Sequence, residues 1–435
     1  MPSRQDQLHS HRFAVRRVVA ALVTRETDPA RAPFARSGGA VLAGLLVTAI
    51  GAGAVLLYDL FAGGGATNWR DPSVVVVEKE TGARYVYREP RLHPVANYTS
   101  ALLLAGAPDT VLVSRRSIED VPRGAPLGIA DAPDSLPPAD RLAGAPWALC
   151  SSAASPVLWA GSPPAGGTEL DKSGALVTAG PDTYLLWRDR RYPVASQAVL
   201  AALGWGAARP TAVVAELLNS MALGAPLAPP PVPGLGRPSA AMPGAIVGRV
   251  HVVTTQSGAR EYAVMLSGGL AAITQVQADL LLGDPRAGQS GPSEMSQSAY
   301  ASAPRAGDLR PADGPATTPA LIPVEGALCG TLGATDSELR GLRVAVPLPD
   351  GNASPPPVRM EPGRAALVES VSAPGATGGT VSLVTDVGRR HALATPEVKT
   401  MLGYGEAVPI RLPAALVALI PEGAALDPAA AARSS

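Results

Sequence analysis

The stretch SGAREYAV, residues 257–264, nearly repeats TGARYVY at 81–87. In both, a small polar residue and a glycine make a turn, and alternating residues then enter a strand. Four segments of the chain share this order: an apolar run, a turn, a second strand, and a helix that stops at glycine. VVVVEKETGARYVY leads through a proline-rich bend to NYTSALLLAG, ending at Gly106, and ALVTAGPDTYLLW leads to SQAVLAALG, ending at Gly204. RVHVVTTQSGAREYAVM leads to VQADLLLG, ending at Gly283, and TVSLVTDVGRRHALA leads to PEVKTMLG, ending at Gly403. Each terminal glycine suits a left-handed helix cap. Nearly equal stretches separate Tyr85 from Gly106, Tyr184 from Gly204 and Tyr262 from Gly283. In the fourth segment His391 takes the aromatic's place and the helix follows sooner. That helix starts well, with Thr395 as N-cap and Pro396 in the first turn.

A second echo follows the helices: GAPL at 124–127, GAPL at 224–227 and GAAL at 423–426. The third segment lacks it and runs into Gly/Ser/Pro-rich sequence at 286–319, which reads as an exposed loop. The expected fold class is α+β, with four small β-hairpin/helix repeat modules at 72–128, 173–234, 235–285 and 364–428. The segments 129–172 and 320–363 would form a central β core, and 429–435 a tail. Composition agrees with loop-rich folds of modest core: 46% of residues are apolar but only 4% aromatic, with 46 glycines and 45 prolines. Acidic and basic side chains balance at 36 each, so no global field draws in nucleic acid.

The N-terminus carries a topology. Ser37 to Tyr58, SGGAVLAGLLVTAIGAGAVLLY, holds no charge, and as a helix it would be about 33 Å long, matching a bilayer's hydrocarbon core. A cleaved signal peptide would need a shorter apolar core and a shorter basic leader than residues 1–36 provide. That leader has Arg4, Arg12, Arg16, Arg17, Arg25, Arg31 and Arg36, whereas Asp59 opens the far side and Arg70 is its first cation. A span at 37–58, followed by a linker at 59–71, would therefore leave the N-terminus cytoplasmic and the bulk of the chain extracytoplasmic. In the leader, Val15, Val18, Val19, Leu22 and Val23 fall at helical spacing until Asp28-Pro29, making an amphipathic helix suited to the inner leaflet or to a cytosolic partner. Within the span Ala40, Gly44, Thr48 and Ala52 recur every fourth residue, a small-residue face against which another helix packs closely. The two cysteines, Cys150 and Cys329, both lie beyond the span and read as one disulfide in an oxidising compartment, with buried free thiols or a metal pair as the competing readings.

Little in the sequence points to chemistry. Of the five histidines, His9 and His11 precede the span, and His93, His251 and His391 fall in different modules without a ligand at metal spacing. His251 alternates with valines in RVHVV and is expected to face outward from a strand. No Gly-x-Ser-x-Gly elbow occurs. The stretch GGTELDKS, 166–173, has P-loop spacing from Gly166 to Lys172 and Ser173, but Asp171 replaces the glycine that lets amides close around a phosphate. No catalytic residue, cofactor or metal is expected.

The pattern Q-x-x-S-x-x-F-x-x-R-R at Gln7, Ser10, Phe13, Arg16 and Arg17, then Ala21-Leu22 and Asp28-Pro29 before a single span, resembles the EccB family of actinobacterial type VII (ESX) secretion systems. So do VPRGAPLGI and APDSLP within 121–137, LGAPLAPPPVPG at 223–234 and GAALDPAA near the end. The resemblance covers essentially the whole chain. It implies a single-pass structural subunit of a secretion channel, with four repeat domains around a disulfide-linked periplasmic core. The implied partners are an EccC-type motor ATPase, EccD, EccE, a mycosin protease, further copies of the chain itself and membrane lipid, with no nucleic acid. Two other readings compete: an extracytoplasmic ATPase or other nucleotide hydrolase using 166–173, and a membrane-anchored module that binds cell wall.

Overall fold

Two long helices open the chain, α1 (Arg4–Thr24) and α2 (Ser37–Tyr58), and the rest of this computed structural model is β-rich with short helices. The structure describes residues 3–25, 37–58, 68–151, 155–334, 336, 338–348, 357–373 and 375–433. Asp28-Pro29, Arg31, Arg36, Asp59 and most of the linker after α2 lie outside them, as does the side chain of Val23. Contacts divide the chain into two units, the first being Met1–Arg70 with Glu78–Thr81 and Leu112–Asp120, and the second the remainder. In the first unit α1 begins with a capping box, Ser3 and Asp6 satisfying each other's backbone N–H groups, and ends at Arg25 in a left-handed conformation.

The first sheet contains β1 (Val75–Glu78), β2 (Arg84–Arg88) and β3 (Arg91–Pro94) as an antiparallel meander. After α3 (Tyr98–Ala105), β4 (Thr110–Val113) lies beside β1; α4 (Arg115–Ile118) follows. Next come β5 (Trp147–Ser151), β6 (Pro156–Ala160) and β7 (Thr168–Glu169) of the central sheet. The second sheet is the meander β8 (Ala175–Ala179), β9 (Asp182–Trp187) and β10 (Arg190–Val194). Following α5 (Gln197–Ala202), β11 (Thr211–Ala212) pairs parallel to β8, and following α6 (Ala215–Asn219), β12 (Ala222–Leu223) pairs parallel to β10. The third sheet repeats this with β13 (Val250–Thr254), β14 (Arg260–Leu266) and β15 (Gly269–Ile273), then α7 (Gln275–Leu282), β16 (Ser293–Glu294), α8 (Gln297–Ser302) and β17 (Arg305–Asp308). The central sheet resumes with β18 (Ala327–Leu332), β19 (Arg340–Val346) and β20 (Val358–Arg359). The last sheet is β21 (Ala365–Val371), β22 (Val381–Thr385) and β23 (Arg390–Ala392), with α9 (Pro396–Met401), β24 (Ile410–Pro413) parallel to β21, α10 (Ala414–Val417) and finally α11 (Pro428–Ala431). The chain is thus α+β, with five sheets among the described residues.

The echoed GAPL and GAAL phrases have a structural reason. They run beside the third strand of their sheets, bridging Val95 to Leu127, Val194 to Leu227 and Leu393 to Leu426 in parallel. At each, a ring on the third strand lies against the glycine: a Cβ on Gly124 would collide with His93, on Gly224 with Tyr192 and on Gly423 with His391. The register corrects the sequence alignment here. His391 pairs with Leu383 as His93 pairs with Val86 and Tyr192 with Leu185, so it is the counterpart of those residues. The place of Tyr85 and Tyr184, opposite Pro94 and Pro193, is held in the fourth sheet by Ser382, opposite Ala392.

The third sheet also departs from expectation. Residues 286–319, read as a loop, supply both of its edge strands, β16 and β17. Leu309 N–H donates to Ala272 O, as Leu127 does to Pro94, Leu227 to Pro193 and Leu426 to Ala392. The missing tail is therefore present as AGDL, 306–309, and no ring on β15 requires it to resemble GAPL.

Helices join the sheets in pairs. Along α3 and α9 the first and fourth sheets share one core, in which Leu102, Leu103, Leu104, Val398, Leu402 and Tyr404 are buried. Along α5 and α7 the second and third share another, with Val199, Leu200, Leu203, Val276 and Leu280. Gly106, Gly204 and Gly403 have the expected left-handed φ of 76°, 74° and 84°. Gly283 does not, its φ being −80°. It is small for another reason: a Cβ there would strike Ala202 at the end of α5. Replacing Gly224 or Gly423 by alanine is expected to destabilise by about 1–3 kcal/mol through overpacking against a buried ring. Gly144→Ala, where a Cβ meets open space, is expected to stay within about 0.5 kcal/mol. Denaturant midpoints of the three variants measure the difference.

Candidate functional site

The second and fourth sheets meet on the six-stranded central sheet, ordered β20-β6-β5-β18-β19-β7. Alternation along β5 sends Trp147 and Leu149 to one face and Cys150 to the other. The first face, with Leu158, Leu328, Leu332 and Leu342, packs on Ala175, Val177, Leu186 and Leu217 from one side sheet and on Val368, Val384, Leu412 and Leu416 from the other. Burying so many aliphatic side chains, each worth roughly 1.5–3 kcal/mol, makes this the principal core. Hydrogen bonds fix its register to the neighbours: Leu339 N–H to Ser220 O at 2.6 Å, Val214 N–H to Ser151 Oγ at 3.0 Å and Ala143 N–H to Ala365 O at 2.7 Å.

On the opposite face Cys150 and Cys329 are directly opposed across β5 and β18 and form a disulfide, Cα to Cα 4.0 Å, between residues 179 apart in sequence. Ala327, Val346, Trp159 and Leu348 surround it. The bond is a rung inside the sheet, joining the two chain segments that build it. At the far end of the chain, α11 packs against α3, and Gly128 N–H reaches Arg433 O at 3.4 Å. Tyr404 Oη donates to Pro137 O at 2.7 Å, and burial pushes its pKa up, so it remains a hydroxyl donor.

The stretch 166–173 does not form a phosphate cradle here. Gly166 and Gly167 have φ of 95° and 76° and lead into β7, which pairs with β19. Arg343 holds their carbonyls, Nε to Gly166 O at 2.7 Å and Nη2 to Gly167 O at 3.0 Å. Lys172 is exposed, Ser173 half-buried, and β8 follows, with no helix N-terminus to receive an anion. Among the described residues no group of three or more His, Cys, Asp or Glu is placed to hold a metal ion.

His9 and His11 are exposed on α1. His93 and His391 each place Nδ1 on the carbonyl of the tail beside them, Ala125 O at 3.0 Å and Ala424 O at 2.9 Å. The expectation that His251 faces outward is overturned: it is buried on β13, because β16 pairs along that strand's free edge and α8 packs against the strand. Sequence reasoning had no signal for that covering, which comes from residues 293–302.

On α2, Ala40, Gly44, Thr48 and Ala52 share one exposed stripe, and Thr48 Oγ1 donates to Gly44 O at 2.8 Å. The helix runs for 22 residues without a charge. Its side chains are described only from Gly39 to Val55, and among the described residues no helix is long and apolar enough to cross a membrane.

The family description "Type VII secretion system ESX-1, transport TM domain B" matches residues 1–435. The ESX-3 secretion system ATPase EccB3 of Mycolicibacterium smegmatis is 28% identical over 466 residues, covering 97% of this chain and 88% of that protein. The ESX-2 secretion system ATPase EccB2 of Mycobacterium tuberculosis is 32% identical over 295 residues, 64% of this chain, and the match spans only 59% of that protein's length. Among solved structures, a chain of the intact ESX-5 inner membrane complex aligns over 100% of this chain and 96% of its own at TM-score 0.69 and 24% identity, a likeness of fold. The EccB3 dimer from the ESX-3 core complex aligns over 82% of this chain and 99% of its own, at TM-score 0.67 and 25% identity.

Two outcomes follow from this geometry. Replacing both cysteines by serine is expected to lower stability by roughly 5 kcal/mol, the chain-entropy value for so long a loop. Unfolding curves with and without reductant would check it, since only the parent should respond to reductant. Burial pushes the pKa of His391 down, with Arg389 adding to the effect and Ala424 O and Asp131 opposing it; burial and Arg249 lower that of His251. The fold favours the neutral form of both groups, so below pH ~6.5 the unfolded chain takes up protons first and stability falls. Unfolding midpoints between pH 7.5 and 5 should drop, and drop less steeply in a His391→Phe variant.

Proposed function

This chain belongs to the EccB family of type VII (ESX) secretion systems, and on that premise we propose that it is a structural subunit of an ESX membrane channel complex, taking part in protein export across the cell membrane. The observation that carries this reading is that one chain holds both the uncharged helix α2 and a large, disulfide-joined β body. Over its 22 residues α2 would be about 33 Å long, and Val41, Leu42, Leu45, Leu46, Val47, Ile50 and Val55 are all more than 60% exposed along it. A helix apolar on every side suits lipid. We read it as a single span, with Arg4, Arg12, Arg16, Arg17 and Arg25 holding the N-terminus in the cytoplasm and Cys150–Cys329 in an oxidising compartment.

The body is read as four repeat modules, one per small sheet, clasped in pairs and mounted on the central sheet. Such a body offers contact surfaces to further copies of the chain and to EccC-, EccD-, EccE- and mycosin-type partners. The stripe Ala40, Gly44, Thr48 and Ala52 would seat a neighbouring helix in the bilayer. The word ATPase in the relatives' names favours a second reading, nucleotide hydrolysis through Gly166, Lys172 and Ser173. The edge strand β7 within 166–173, with Asp171 beside Lys172, argues against it.

The full-length protein, extracted in mild detergent, is expected to co-purify with other membrane subunits of the system; its recovery alone would overturn the assignment. Changing Gly44 and Thr48 to leucine is expected to weaken that co-purification while leaving thermal unfolding of the body unchanged. Lys172→Ala is expected to leave any ATP turnover of the preparation unchanged, and loss of turnover would restore the hydrolase reading.

A further inference from the structure

His251 is a buried imidazole that nothing above uses. It is 9% exposed, and among the described residues neither ring nitrogen has a hydrogen-bond partner. Leaving such a group unpaired in an apolar setting is destabilising, and buried polar groups are ordinarily paired.

Its surroundings are unusual in sulfur. On the antiparallel ladder His251 lies opposite Ala263, so both project from one face of the third sheet, and Met265, two residues along β14, projects from that face too. Ala263, Met265 and Leu270 form a separate small cluster, against which Met242, Met295 and Tyr300 pack. Met295 is held beside β13 by its N–H on Val252 O at 2.9 Å, and α8 closes over the strand. Three of the seven methionines in the chain therefore converge on the face that carries an unpartnered imidazole. Thioethers and imidazole are soft and borderline donors, and that set favours copper(I) over calcium or magnesium, which take oxygen ligands.

We propose that the face of the third sheet beneath α8 is a binding site for a soft monovalent cation of the copper(I) class, held by the His251 imidazole and the thioethers of Met265, Met242 and Met295. The site needs no thiol, which suits a chain whose two cysteines are joined. Burial keeps the imidazole neutral, the form that offers a lone pair. Met242 and Met295 are half-buried and pack against the Met265 cluster from the segments before β13 and just before α8, so a cation would tie those segments to the sheet.

The test is a titration of the full-length, detergent-solubilised protein with copper(I) kept reduced, competed with a coloured copper(I) chelator. Silver(I), added in a separate titration without reductant, serves as a second probe. One tight equivalent is expected, accompanied by a rise in thermal midpoint. Its affinity should fall at least tenfold in His251→Ala and in Met265→Leu, but not in Met401→Leu or in a His9→Ala/His11→Ala double variant. Met265→Leu conserves volume and is expected to fold, so it decides the matter even if His251→Ala does not. Copper-edge absorption should show both sulfur and nitrogen neighbours. Absence of a tight equivalent, or one that survives Met265→Leu unchanged or disappears with His9 and His11, would overturn the site.

Discussion

Everything in the β body is mounted on the pairing of β5 with β18. These strands come from segments 179 residues apart at their cysteines, yet they lie side by side as the middle pair of the central sheet. A contact of that sequence separation carries a large loop-closure cost, which the sheet offsets by burying its apolar face on two neighbouring sheets. The disulfide then holds the two segments together on the other face, where the surrounding apolar group is small. The two faces thus divide the work: burial on one, a covalent rung on the other.

The side sheets illustrate how one topology accepts different local chemistry. Three of them hold a ring of the third strand against the glycine of a returning tail, and that ring is histidine twice and tyrosine once. The third sheet, lacking the ring, accepts AGDL along the same path. What is common is a backbone arrangement, a parallel strand returning beside the meander's edge; the side chains only have to fit it. This explains why the repeats share an order of elements while sharing few letters.

The same economy explains why the polar residues that look most like chemistry are occupied structurally. Arg343 holds the glycine carbonyls of 166–167, His93 and His391 hold tail carbonyls, and Tyr404 joins α9's end to Pro137. A body built from such contacts presents surfaces, and its fold is shared with a chain of the intact ESX-5 inner membrane complex and with the EccB3 dimer of the ESX-3 core complex.

By itself the sequence determined the elements whose cause is local. The turns at Gly82 and Gly258, the caps at Gly106, Gly204 and Gly403, and the uncharged helix at Ser37–Tyr58 are all legible there, because φ preference and apolar length are properties of short windows. The cysteines narrowed to one pair because the chain has only two. Which windows meet was settled by packing alone. Gly283 keeps its missing Cβ for Ala202 rather than for its own φ, His391 answers to His93 and Tyr192 rather than to the hairpin tyrosines, and His251 is enclosed by one edge strand and a helix from residues 293–302. Close approach and burial depend on atoms far away in sequence, and a single chain of letters carries no distance between them.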